Sequence, residues 1–142
     1  MGRSASDINR YVFIVENGPK SSDDCSALHG CLLAANCASA IVALMIENQR
    51  QRGSTLYEAM VATMRRLETL AEHDEDSACA LMVHLWSHAS QLVGAHDVCD
   101  GIDLWIADNK SSLVRKQLEE LLGMDNVARV HFQQILEQVS DG

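Results

Sequence analysis

Between Ala27 and Ile46 the chain carries no charged side chain. A helix of that length could in principle cross a bilayer. In a folded protein, a helix apolar on all sides has to be enclosed. His29, Asn36 and Ser39 interrupt the run, and Gly30, Ala34, Ala35 and Ala38 supply small side chains that suit close helix packing. No other segment resembles a membrane span. The run is therefore read as one buried central helix, or as the helix through which two copies pair. It is expected to continue past Glu47 and Gln51 to a stop at Gly53.

Cys25, Cys31 and Cys37 recur every six residues through this region. On a continuous helix each step turns about 600°, so the three thiols would point about 120° apart and could not share one metal. Five cysteines, an odd count, with no signal peptide recognised ahead of them, read as free thiols of a reducing compartment. They are expected to act as small buried hydrophobes, and the expected location is cytoplasmic.

The length of 142 residues fits a single domain, 1–142. A single proline and many Ala, Leu, Met, Glu and Gln residues favour helix over sheet. The formal charge of −9 disfavours nucleic acid or an anionic membrane as partner and suits a basic protein face.

In chain order, Ser4 to Glu16 carries Ile8, Tyr11, Val12 and Val15 on one stripe, and Asn17-Gly18-Pro19 ends it. Ser21 to Asp24 offer caps for the next helix. Thr55 to Glu58 reads as a capping box, followed by a stripe of Leu56, Met60, Met64, Leu67, Leu70 and Ala71. The acidic turn His73 to Asp76 breaks that helix, and Asp76 is the expected cap of the next, which runs to about Gly94. Further helices are expected around Val98 to Ile106, over Leu113 to Leu122, and after Asp125. No sustained two-residue alternation occurs. The expected fold is all-α: an antiparallel bundle of six to seven helices with a four-helix core. Residues 4–53 form its N-terminal helices and 54–142 the remainder.

On a wheel of about 100° per residue, Ala78, Leu81, Met82, Leu85, Ala89 and Leu92 form the core face of the helix after Asp76. His84 falls about 120° from the middle of that face, beside Ser87, His88 and Gln91, and is expected to be hydrated and partly neutral at pH 7. A neutral imidazole can act as a nucleophile toward a phosphoryl group. Trp86 and Val83 also lie off the core stripe and call for a cover, from the N-terminal helices or a partner.

His84, Ala89, Ser90, Val93, Gly94 and Ala95 fall in register with the active helix of histidine-containing phosphotransfer domains, which this stretch resembles. The resemblance spans about residues 55–139. It implies that His84 carries a phosphoryl group, that Ser87, His88, Gln91 and Gly94 form the surrounding binding surface, and that no cofactor of its own is needed. The implied partner is a response-regulator receiver domain, which supplies the acceptor aspartate and magnesium. Ser87 stands where that family has lysine and His88 where it has glycine, so the chain would be an altered phosphocarrier or a receiver-binding relative.

Other patterns carry less. The four-residue spacing of His84 and His88 could bind a metal, but Cys25, His29, His96 and Asp100 are scattered as further ligands, and no metal is expected. Arg66 and His73 loosely resemble the spacing of helical HEPN ribonucleases. Asp97, Asp100 and Asp103 with Glu72 and Glu75 faintly resemble magnesium-binding pyrophosphohydrolases, and a solvated acidic face explains them better. The reading from a different class is a non-catalytic acidic interaction protein, such as an adaptor, a secretion chaperone or a toxin-neutralising partner.

Overall fold

In the computed structural model, residues 5–32, 35–108, 116, 118, 119 and 126–139 are described. Every described element is a helix: α1 Ala5–Asn17, α2 Ser22–Leu32, α3 Ala35–Gln51, α4 Leu56–Ala71, α5 Glu75–Ser90, α6 His96–Asp108 and α7 Asn126–Val139. The all-helical bundle is as the sequence predicts. Most of the expected Leu113 to Leu122 helix, and the Asp125 cap, lie outside the described residues.

Local chemistry sets the element boundaries. Gly18 and Gly53 adopt φ of +84° and +101°, a backbone region that side-chain-bearing residues avoid, and so close α1 and α3. Thr55 caps α4 through a complete capping box, its Oγ accepting from Glu58 N while Glu58 Oε1 accepts from Thr55 N. The Thr55 backbone N–H, and then its hydroxyl, hold the Glu58 carboxyl below its usual pKa. The cap of α5 is Asp74, two residues before the expected Asp76; its carboxylate accepts from Ser77 N.

The uncharged run is divided, which corrects the continuous helix read from the sequence. The axes of α2 and α3 meet at a bend of 108°, and a disulfide joins Cys31 to Cys37, with Cα atoms 5.7 Å apart. A straight helix would hold residues six apart about 9 Å from one another, beyond disulfide reach. The bond therefore requires a break between α2 and α3. Cys31 and Cys37 are thus paired, which corrects the reading of all five cysteines as free thiols; Cys25, Cys79 and Cys99 remain free. Most apolar side chains of the run, among them Leu28, Ile41, Val42 and Met45, are buried within the chain. Among the described residues of the run, little apolar surface is left exposed. No single helix among the described residues is long and apolar enough to cross a membrane.

The central element is α5. It packs against α2, α3, α4, α6 and α7, while α1 packs against α2, α3 and α4. The three-residue link Glu72 to Asp74 returns α5 along α4. Every residue from Ser77 to Trp86 is buried, on all sides of the helix. The reason is visible in composition: Ser77 to Ala95 contains no Asp, Glu, Lys or Arg, and such a helix is stable only when surrounded.

Candidate functional site

Enclosure of α5 changes the surroundings of His84. Its residue exposure is 6% and its Nε2 is closed off from solvent. The hydrated, accessible imidazole expected from the wheel is therefore corrected to a core histidine. The wheel assumed an open side to α5, whereas the helix is buried all round from Ser77 to Trp86. Trp86 is covered as well, its ring stacked on His131 of α7 with centroids 4.3 Å apart and edge-on to Phe132.

The remaining expected site residues separate. Ser87 is half-buried, its hydroxyl donating back to the Val83 carbonyl at 3.4 Å. Gly94 sits past the helix end with φ +96°. His88 and Gln91 line one cleft of about 340 Å³, together with Glu47 and Arg50 of α3 and the apolar Ile46, Leu56, Met60 and Leu92. Gln91 Nε2 donates to the Ser87 carbonyl, which ties its amide to the helix end.

Elsewhere, potentially reactive groups are engaged or suppressed. Burial pushes the Cys79 thiol up to about 12. Burial and then the Asp103, Asp100 and Asp97 charges push Cys99 up to about 11. Neither offers a thiolate at neutral pH. Asp97 accepts from the Tyr57 hydroxyl. Asp103 lies 2.6 Å from His131 Nε2. Burial raises the Asp103 carboxyl pKa, opposed by the hydrogen bond and charge of His131. Among the described residues no group of three His, Cys, Asp or Glu is placed to hold a metal ion. Arg66, considered for a ribonuclease pattern, reaches the Glu16 carbonyl at the end of α1 instead.

The solvated acidic face expected around Asp97, Asp100 and Asp103 is present at Asp97 and Asp100, and it extends past them to Leu104 and Asp108. From Glu68 to Asp108 the chain carries nine carboxylates and no lysine or arginine. Asp97, Asp100, Leu104 and Asp108 follow helical spacing along α6 and are all exposed, Leu104 at 67%. Val127 and Val130 are exposed on α7, which packs against α6. The signal for the extension was a gap in positive charge, which counting motifs does not detect.

No family model matches the sequence, and neither a curated protein nor a solved structure matches the chain.

Proposed function

We propose that this chain is a non-catalytic protein-binding module that presents the outer face of α6 to a basic partner. The observation that carries the reading is the exposed stripe of Asp97, Asp100, Leu104 and Asp108. An apolar side chain set among carboxylates suits a partner surface with an apolar depression rimmed by Lys or Arg. The charges steer encounter and set register, and burial of Leu104 supplies part of the affinity. A phosphocarrier role for His84 receives no support from this geometry. An incoming phosphoryl group needs an open ring nitrogen, whereas the His84 ring is enclosed within the bundle.

The test is retention of a partner from cells of the source organism on the immobilised full-length protein. A basic protein should be held at about 50 mM salt and released at about 500 mM, since exposed charges are screened over that range. Leu104→Glu and Asp100→Lys, both at exposed positions, should each weaken retention about tenfold without altering the helical circular dichroism. Retention indifferent to both substitutions overturns the reading. So does an acid-labile phosphoryl label on His84 after mixing with phosphorylated receiver domains.

A further inference from the structure

A second cleft, of about 360 Å³, lies where α1, the end of α3 and α4 come together. Asn9, Val12, Phe13 and Glu16 line it from one stripe of α1, with Asn48 and Arg52 at the end of α3 and Arg66 from α4. The chain as a whole has 20 Asp and Glu against 11 Lys and Arg, so an arginine here would be expected to find a carboxylate. Neither Arg52 nor Arg66 does: among the described residues the ion pairs are His29–Asp74 and His131–Asp103.

Arg66 instead donates from Nη1 to the Glu16 carbonyl at 3.4 Å. That bond holds the guanidinium against the last turn of α1, where the helix dipole favours positive charge, and leaves its other N–H groups uncommitted. The Asn9 and Asn48 carboxamides make no side-chain hydrogen bond among the described residues. Asn17, also on the cleft, uses one amide hydrogen on the Phe13 carbonyl. Beside these donors stands the Phe13 ring, 63% exposed.

We infer that this cleft binds a phosphate monoester carrying a small planar apolar group. Two guanidiniums can grip the phosphoryl oxygens by paired hydrogen bonds, the asparagine amides donate to the remaining oxygens, and the flat group lies against Phe13 and Val12. The Glu16 carboxylate in the same cleft opposes the anion, so the net local charge is that of one cation. This site is independent of the α6 face.

The experiment is calorimetric titration of the full chain with phenyl phosphate, inorganic phosphate and benzyl alcohol in a buffer without other phosphate. Phenyl phosphate is expected to bind saturably with Kd below about 1 mM. Inorganic phosphate should bind about tenfold more weakly, and benzyl alcohol should give no saturation. Arg52→Gln and Arg66→Gln should each weaken phenyl phosphate about tenfold. Glu16→Gln should tighten it about threefold, a change in the opposite direction that misfolding does not produce. Circular dichroism of the three variants checks that the bundle persists. Absence of saturable binding overturns the inference, as does binding that all three substitutions leave unchanged. Phosphate and phenyl phosphate binding equally would remove the planar group from it.

Discussion

Asp74 serves three partners with two oxygens. It accepts from Ser77 N at 3.2 Å and from Ser77 Oγ at 2.7 Å, and lies within 3.0 Å of His29 Nε2. Its side chain is 7% exposed and that of His29 is 49% exposed. Capping is a short-range bond to an otherwise orphaned backbone donor, whereas the imidazole is half in water and can be hydrated there. Asp74→Ala should therefore cost about 2 kcal/mol in urea unfolding, and His29→Ala less than about 1 kcal/mol. Equal losses would mean that the link from α2 to α5, and not the cap, is what Asp74 chiefly provides. His84 shows the limit of legibility at this scale. A helical wheel gives the direction of a side chain correctly, but it says nothing of how many neighbours the helix has. The bare stretch from Ser77 to Ala95, with no Asp, Glu, Lys or Arg, held that information.

Among the elements, α4 was the most legible, because its capping box and apolar stripe are local and point to the same answer. The joint between α2 and α3 was the least legible. Nothing in the run from Ala27 to Ile46 opposes helix strongly, and the break is accompanied by a pairing of two cysteines that spacing alone does not specify. By the chain-entropy argument, closing a loop of this size stabilises the fold by about 2 kcal/mol. Reduction with dithiothreitol should lower stability by that amount. The Cys31→Ser/Cys37→Ser double variant should match the reduced protein and be insensitive to reductant. An oxidised protein no more stable than the reduced one would show that packing alone holds the bend. In a thiol assay of the oxidised protein at pH 8, Cys79 should stay silent until the chain unfolds, since burial holds it in the thiol form.

Across the whole molecule, charge is segregated: the carboxylates dominate α6, while Arg52 and Arg66 share a cleft formed by α1, α3 and α4. One carboxylate has moved part-way inside. Burial raises Asp103, so the folded protein holds that proton more tightly than the unfolded chain does. Its contribution to stability is therefore greatest at low pH. It declines as pH rises from the ordinary carboxylate range through the raised value. Asp103→Asn should flatten this decline when unfolding is followed across mildly acidic buffers. A slope unchanged by the substitution would place the titration elsewhere. The global arrangement was legible as a class, all-helical, because helix propensity and the scarcity of proline act everywhere along the chain. The identity of the middle helix was not, because it depends on how the others stack.

That middle helix sets where the sequence is free to vary. A side chain on α5 between Ser77 and Trp86 cannot grow without displacing a neighbour, and this holds for the small residues Ser77, Ala78, Cys79 and Ala80 as for the large ones, since all are buried. The outer positions of α6 meet no such constraint. Over long descent, α5 should stay nearly fixed while Asp97, Asp100, Leu104 and Asp108 track whatever surface they meet. The bundle is thus a closely packed mount on which the outer face of α6 can be retuned without risk to the core.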